Sequence, residues 1–162
     1  MMNRKGISAL VATVLLVLIT IAAVGIIWGA VMPMIKGNIE KSQKCYDLSL
    51  EIKQAGNTCY DIDGETLDVQ VGRGEKVADL TDLSIQVGYQ GTSKSARISN
   101  STLVIYNNGT IPGPNEDVKY TIDVAALGLD GVDYATVAAV LKIGNVESVC
   151  STATSQVAID PC

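Results

Sequence analysis

The sequence of 162 residues contains no histidine and no phenylalanine, and aromatic residues make up only 4% of it. Without histidine, the chain can form neither a Ser-His-Asp or Cys-His catalytic group nor a histidine-ligated metal site. It also lacks a glycine-rich phosphate loop and a nucleophile elbow. The chain has 17 acidic and 12 basic residues, and its net negative charge argues against a nucleic-acid partner. We therefore expect neither an enzyme nor a bound cofactor.

Charge is absent from one long segment. Ile7–Ile35 spans 29 residues without a charged side chain, whereas the rest of the chain has the composition of an ordinary globular domain. As an α-helix the segment would be roughly 43 Å long at about 1.5 Å per residue, which exceeds the roughly 30 Å hydrocarbon core of a bilayer. Arg4 and Lys5 precede it, so the positive-inside rule places residues 1–6 in the cytoplasm and the C-terminal part outside.

Three interpretations of this apolar segment compete. A cleaved secretory signal would have an apolar core of about 7–15 residues followed by a small-residue cleavage site, but here the pair Ala23 and Gly25 lies inside the run. A plain single-pass anchor requires only the observed length. In the third interpretation a peptidase cuts after Gly6, which removes the polar leader and leaves the apolar helix on the mature chain, beginning at Ile7.

The junction and the apolar run together resemble a known family. The stretch RKGISALVATVLL, from Arg4 to Leu16, looks like the class III signal and N-terminal helix of archaeal type IV pilins and archaellins. The stretch GIIWGAVMP, from Gly25 to Pro33, is also similar to that group. The resemblance covers about residues 3–36, which is under a quarter of the chain.

The resemblance implies a maturation step and an assembly. A membrane prepilin peptidase would read Arg4, Lys5 and Gly6 and cut between Gly6 and Ile7. Pilus assembly machinery would then assemble copies of the chain into an extracellular filament with a core of packed apolar helices. One position departs from the bacterial pattern, because the glutamate at the fifth mature position is replaced here by Val11. That departure favours the archaeal branch and leaves subunit register to helix packing.

Small residues are spaced for close helix packing. Gly25 and Gly29 form a GxxxG pair, and Ser8 with Ala12 forms a second small-xxx-small pair. Such spacing places small side chains on one helix face, which lets helix backbones approach each other. The same residues are common in any transmembrane helix, so the pattern fits a simple anchor as well as a filament core.

Near the end of the apolar run, we predict that Pro33 and Gly37 kink or end the helix. Residues 36–44 form a polar junction that either continues the helix for a turn or two or acts as a hinge. We divide the chain into a signal peptide at residues 1–6, a hydrophobic helix and junction at 7–44, and an extracellular domain at 45–162.

The C-terminal domain alternates apolar and polar residues with a period of two, which predicts half-buried strands. The predicted strands are Leu48–Ile52, Leu67–Val71, Leu83–Tyr89, Val118–Val124, Thr136–Ile143 and Val146–Cys150, with a further one among Ala96–Ser99 and Leu103–Tyr106. Glycine-, asparagine- and proline-rich turn signals, Gly72-Arg73-Gly74 among them, separate the strands. The pattern predicts an antiparallel, Ig-like β-sandwich, so that the fold class is α+β.

Four cysteines lie in the predicted external domain, and an even count there indicates two disulfides. Cys45 and Cys59 lie near the start of the domain, and Cys150 and Cys162 lie near its end. Pairing start with end closes long loops and favours stability. Of the three possible pairings we favour Cys45–Cys162 with Cys59–Cys150. A four-thiolate zinc site is the alternative, but the spacings contain no C-x-x-C.

Two N-x-[ST] sequons, at Asn100 and Asn108, fall in turn-rich stretches and predict glycosylation sites on the external domain. Two chance matches in a domain rich in serine and threonine are the alternative. Many pilins of the similar family are glycosylated, which favours use of the sequons.

Three carboxylates lie within the turn Asp61-Ile62-Asp63-Gly64-Glu65, and carboxylate oxygens are the ligands that calcium prefers. The stretch fails the EF-hand pattern, because Gln70 stands where that loop requires a glutamate. We interpret it as a solvated hairpin turn and expect no metal site.

The combined expectation is a pilin-like structural subunit, a membrane protein before assembly and part of a surface filament of identical copies afterwards. The alternative is a membrane-anchored receptor or adhesin that never polymerises, with a ligand site on loops such as residues 107–117. Their difference lies in what the apolar helix contacts.

Overall fold

A computed structural model describes residues 4–54, 58–76, 79–143, 145–150 and 156–162. The chain forms two compact units, Met1–Glu40 and Lys41–Cys162. The first is helical and the second is built mainly from antiparallel sheets. The predicted α+β class is therefore confirmed.

The N-terminal part is helical from Arg4 to Asp47. It comprises α1 (Arg4–Ile26), a π-helical turn (Ile27–Val31) and α2 (Met32–Asp47). The polar junction at residues 36–44 thus continues the helix and does not interrupt it. An unbroken run of apolar residues supports a helix where no water competes for the backbone, even though many of them are β-branched.

The helix does not end at Pro33 or Gly37, contrary to one of the two predicted outcomes. The irregular turn lies just before the proline, where the Met32 N–H donates to the carbonyl of Ile27, five residues earlier. A proline lacks an N–H and its ring crowds the carbonyl four residues before it, here that of Gly29. Because Gly29 lies inside the wider π turn, the backbone accommodates the proline and continues as α2.

The described residues of the second unit form ten strands. They are β1 (Leu50–Ile52), β2 (Cys59–Asp61), β3 (Thr66–Arg73), β4 (Leu80–Tyr89), β5 (Thr92–Arg97), β6 (Val104–Tyr106), β7 (Asp117–Asp123), β8 (Tyr134–Ile143), β9 (Val146–Val149) and β10 (Val157–Ala158). The predicted alternating runs correspond to β1, β3, β4 and β7, and the more apolar runs to β8 and β9. The sequence did not predict β2 or β10, which are too short to show a period of two.

The strands form two five-stranded sheets whose strand pairs are all antiparallel. The first has the order β1-β3-β7-β6, with β2 beside β1 along the same edge of β3. The second has the order β10-β8-β4-β5, with β9 beside β10 along the same edge of β8. In each sheet, two short strands therefore complete one edge of a long strand.

Both sheets contribute to one apolar core. The alternate residues Leu67, Val69 and Val71 of β3 have no exposed surface, and the same holds for Leu83, Ile85 and Val87 of β4. Burial of each such side chain stabilises the fold by about 1.5–3 kcal/mol. Period-two patterning is therefore the source of the core, as the sequence predicted.

Two disulfides link the start of this unit to its end, but with the predicted partners exchanged. The structure pairs Cys45 with Cys150 and Cys59 with Cys162. Cys45, in the last turns of α2, packs with Cys150 in a small cluster that includes Leu141 of β8. Cys150 reaches this cluster because β9 runs antiparallel to β8. The prediction of Cys45–Cys162 with Cys59–Cys150 is wrong.

The second disulfide belongs to a C-terminal strap, residues 157–162, that joins the two sheets. Its first residues, as β10, pair with β8 of the second sheet. Its last residues run parallel to β2 of the first sheet, where the Tyr60 N–H donates to Asp160 O at 3.0 Å and the Cys162 N–H donates to Tyr60 O at 2.9 Å. This pairing of the strap with β2 places Cys162 beside Cys59. The sequence alone did not reveal the strap, so the prediction joined Cys162 to Cys45.

Candidate functional site

The apolar helix has its side chains exposed within the single chain. Every residue from Leu10 to Ile39 is exposed, including Leu10 at 68%, Trp28 at 68% and Met34 at 73%. Soluble monomers rarely expose contiguous apolar patches beyond a few hundred Å². A surface of this kind therefore marks a region that contacts lipid or protein.

The part of the chain that the structure describes contains one helix long and apolar enough to cross a membrane, within Leu10–Tyr46. Its hydroxyl groups suit an apolar environment, because Thr13 Oγ1 donates to Leu10 O and Thr20 Oγ1 donates to Val17 O, each at 2.8 Å. A polar group left unpaired in hydrocarbon would cost several kcal/mol. The segment can serve as a membrane anchor or a signal.

The small residues of the helix lie in open space within the chain. A Cβ atom added at Gly25 or Gly29 would meet no heavy atom within 4 Å, and the same is true of Gly37. Gly25 lies in α1 and Gly29 in the π turn, and Ala12 is exposed. The packing of a single chain therefore does not require glycine at these positions. The side chain of Ser8, the partner of Ala12 in the predicted pair, lies outside the described part.

The predicted cleavage site lies at the beginning of the helix. Arg4, Lys5, Gly6 and Ile7 form the first residues of α1. Their side chains and all of residues 1–3 lie outside what the structure describes, so peptidase processing remains a prediction. Helical backbone on both sides of the Gly6–Ile7 bond means that a peptidase would have to open the first turn to reach it.

The four cysteines are all bonded, which removes the alternative of a four-thiolate zinc site. Cys45 and Cys150 are buried, at 7% and 3% exposure, while Cys162 is exposed. Disulfides form and persist in oxidising compartments. The two disulfides therefore indicate an extracellular location for the second unit.

The loop at residues 107–117, considered as a ligand site, is held by hydrogen bonds to the sheets. Asn107 Nδ2 donates to Lys119 O at 2.8 Å, and the Tyr120 hydroxyl donates to Thr110 O. Arg73 Nη1 donates to Pro112 O at 3.0 Å. These contacts give the loop a fixed conformation, and each buried one stabilises it by about 1 kcal/mol.

Two of these contacts involve buried polar side chains that the sequence did not single out. Arg73 was predicted to lie in a turn, yet it ends β3 and is 9% exposed. The fully buried Tyr120 has its pKa raised well above the ordinary value of 10 by burial, with smaller contributions from the carboxylates of Asp82 and Glu116. A lone arginine between two glycines in the sequence gives no sign of burial. Only the fold therefore reveals that Arg73 is buried and holds the loop through Pro112.

The acidic stretch is a hairpin turn between β2 and β3. Asp61 Oδ1 accepts a hydrogen bond from the Asp63 N–H at 3.2 Å, and Glu65 has a positive φ of 51°. Among the described residues, no three histidine, cysteine or carboxylate side chains come together to hold a metal ion. The arrangement is that of a turn stabilised by its own carboxylate.

Both sequon asparagines are exposed in connections of the second unit. Asn100 follows β5 and Asn108 follows β6. They differ in how their side chains are bonded, because the carboxamide nitrogen of Asn108 donates to Val104 O at 3.3 Å, whereas the oxygen of Asn100 accepts bonds from Thr102.

No protein-family profile matches this chain, and no curated protein matches it either. The function of the chain is therefore inferred from the residues of its apolar helix and of its disulfide-bonded domain.

Proposed function

We propose that this chain is a pilin-like structural subunit of an extracellular type IV pilus-like filament. The observation that carries the proposal is the uninterrupted exposure of apolar side chains from Leu10 to Ile39. Each large apolar residue left in water forgoes about 1.5–3 kcal/mol of burial free energy. The chain therefore requires another apolar phase around its helix, lipid before assembly and copies of itself afterwards.

The length of the helix supports a role beyond spanning a membrane. The charge-free run of 29 residues would extend roughly 43 Å, and a bilayer core of about 30 Å needs only about 20 residues. The helix then continues through α2 to Asp47, well beyond the end of that run. A rod of this length can pack side by side with neighbouring copies along a filament.

Maturation follows from the N-terminal junction. In this proposal a membrane prepilin peptidase reads Arg4, Lys5 and Gly6 and cuts before Ile7. Removal of residues 1–6 takes away the side-chain charges of Arg4 and Lys5 and leaves the new α-amino group of Ile7 as the positive charge at that end of the helix. The mature helix then begins with an apolar residue, and the assembly machinery can withdraw it from the membrane into the fibre.

The second unit would form the outer surface of the filament. We propose that its two antiparallel sheets form an Ig-like β-sandwich head. Two disulfides stabilise that head outside the cell, each by up to about 4 kcal/mol on a chain-entropy account. The head would coat the fibre or provide adhesion, and no catalytic group is required for either task.

A membrane-anchored adhesin that never polymerises is the competing function, and the same helix would serve it as a simple span. The two functions differ in where the chain is found. Electron microscopy and protein identification of sheared cell-surface material should find this chain as the repeating subunit of fibres. If the chain is recovered only from detergent-extracted membranes and never from fibres, the filament proposal is wrong and the anchored adhesin is favoured.

A second experiment tests the processing step. Gly6→Val should block cleavage and leave the precursor in the membrane, because Gly6 is one of the residues that the peptidase reads in this proposal. Gly37→Val is the matched control, since it makes the same chemical change in the same continuous helical segment but far from the cleavage site. Both variants processed normally would contradict the proposed maturation.

A further inference from the structure

The two sequons differ in structure, and we propose that the folded chain is N-glycosylated at Asn100 and not at Asn108. This inference goes beyond the proposed filament. It depends only on the external location of the second unit, which the disulfides indicate. It would therefore hold equally for a membrane-anchored protein.

Asn100 is exposed, and its side chain is bonded only within its own turn, while its backbone carbonyl accepts hydrogen bonds from the N–H groups of Leu103 at 3.2 Å and Val104 at 2.9 Å. Its Oδ1 atom accepts hydrogen bonds from the Thr102 N–H at 3.1 Å and from Thr102 Oγ1 at 2.7 Å. No acceptor in the part of the chain that the structure describes receives a hydrogen bond from Asn100 Nδ2. The Asx turn therefore leaves the nucleophilic nitrogen facing solvent, and Ser101 and Thr102 are exposed beside it.

The turn containing Asn100 is presented from a fixed base. Ser99 Oγ donates to Asp82 Oδ2 at 2.7 Å, and the Ser99 N–H donates to Asp82 Oδ1 at 3.3 Å. Asp82 is buried at 4% exposure and also accepts a hydrogen bond from the Leu83 N–H at 2.8 Å. These bonds lie before the sequon, so a transferase can engage residues 100–102 without disturbing them.

The second sequon is held against the core by its own atoms. Asn108 Nδ2, the atom that would be modified, donates to Val104 O at 3.3 Å. The Gly109 N–H donates to the carbonyl of the fully buried Ile98 at 2.7 Å. The carbonyl of Thr110 accepts a hydrogen bond from the hydroxyl of the fully buried Tyr120. All three sequon residues would have to leave these partners before the segment could enter a transferase.

The reaction proposed at Asn100 is a substitution at a sugar carbon. The co-reactant is an oligosaccharide linked through its C1 atom to a polyprenyl phosphate, and the catalyst is a membrane transferase on the external face. A bond forms between Asn100 Nδ2 and C1 while the bond from C1 to the phosphate oxygen breaks. The carboxamide loses one proton to a base of the transferase, and the lipid phosphate departs with the bonding electron pair. No oxidation or reduction takes place.

Peptide mapping of the full chain from native membranes or surface material tests the proposal. Trypsin alone leaves both sequons on one peptide, because it cuts after Arg97 and next after Lys119. Additional chymotrypsin cuts after Tyr106 and separates Asn100 from Asn108. We expect the glycan mass on the peptide Ile98–Tyr106, with occupancy at least about tenfold higher than on Asn107–Lys119, because each added tertiary hydrogen bond disfavours opening of the second sequon.

Matched variants separate recognition of the sequon from effects on folding. Asn100→Gln and Thr102→Ala should each remove the glycan mass, and Thr102→Ser should retain it because the hydroxyl remains. Asn108→Gln should leave the intact mass unchanged apart from the substitution. Occupancy at Asn108 that is less than about tenfold below that at Asn100, or an unmodified chain, would overturn the proposal. Peptide mapping does not depend on fibres, so failure here leaves the filament proposal intact.

Discussion

Cys162 is bonded to Cys59, and its backbone N–H also donates to the carbonyl of Tyr60 at 2.9 Å. The disulfide and the backbone pairing together fasten the C-terminal strap to the first sheet, while β10 fastens it to the second sheet. The strap therefore closes one side of the domain, and its loss would leave the two sheets held mainly by their shared core.

The two disulfides should differ in their response to reductant. Cys162 is exposed, whereas Cys45 and Cys150 are buried. A thiolate from the reductant therefore reaches the Cys59–Cys162 bond more easily than the Cys45–Cys150 bond. Under native conditions, increasing dithiothreitol followed by alkylation and peptide mapping should label Cys59 and Cys162 first. In denaturant, where both bonds are exposed, the difference should disappear. Earlier labelling of Cys45 and Cys150 in the native protein would contradict the structure.

Arg73 should contribute strongly to domain stability. Its guanidinium is buried and donates to Pro112 O, so Arg73→Lys should lower the free energy of unfolding by about 1–3 kcal/mol. Arg97→Lys is the matched control, because Arg97 forms an exposed ion pair with Glu147 at 2.8 Å and should change stability by at most about 1 kcal/mol. Denaturant unfolding of the detergent-solubilised chain, followed by circular dichroism, measures both. Equal losses of unfolding free energy in the two variants would show that the buried hydrogen bond from Arg73 to Pro112 O contributes no more than the exposed ion pair.

Alkaline pH should destabilise the domain through Tyr120. Burial raises the pKa of this hydroxyl in the folded chain, so between the unfolded value of about 10 and the folded value the native state holds more protons than the unfolded state. The stabilising contribution is therefore complete below about pH 10 and declines above it, by up to about 1.4 kcal/mol per pH unit.

Tyr120→Phe should reduce that alkaline loss of stability, although it also removes the hydrogen bond to Thr110 O. Tyr106→Phe is the control, because Tyr106 is 57% exposed. The measurement is the slope of unfolding free energy against pH from about pH 9 to 11, a range around the tyrosine pKa. An unchanged slope in Tyr120→Phe would show that another group causes the alkaline sensitivity.

The sequence predicted those parts of the fold that depend on long periodic patterns. Alternating apolar residues, such as Leu67 and Val69 in β3, predicted the strands β3, β4 and β7. The long segment without charge predicted the apolar helix. The pairing of Cys59 with Cys162 did not follow, because it depends on a two-residue strand and a parallel bridge that leave no periodic signal. The sequence left open whether the helix continues past Pro33, because the π turn that accommodates the proline is a backbone adjustment with no residue signature of its own.

Gly25 provides a direct test of intermolecular packing. A Cβ atom at position 25 meets no atom within 4 Å beyond the adjacent helix backbone, and Gly25→Leu raises intrinsic helix propensity, so the single chain should insert into membranes normally. If neighbouring helices approach closely at this position, the added side chain should prevent filament formation. Gly37→Leu has equally open surroundings but lies outside the GxxxG pair and beyond the charge-free run Ile7–Ile35, so it should assemble. Normal filaments from Gly25→Leu would show that the GxxxG pair takes no part in assembly.

The central claim is that the apolar helix is retained after removal of the polar leader and becomes the assembly surface of a filament. The intact mass of the chain recovered from sheared surface fibres tests this claim most directly. We predict a subunit that begins at Ile7, with both disulfides formed and residues 1–6 absent. A chain that retains Met1 or Met2 would contradict the account.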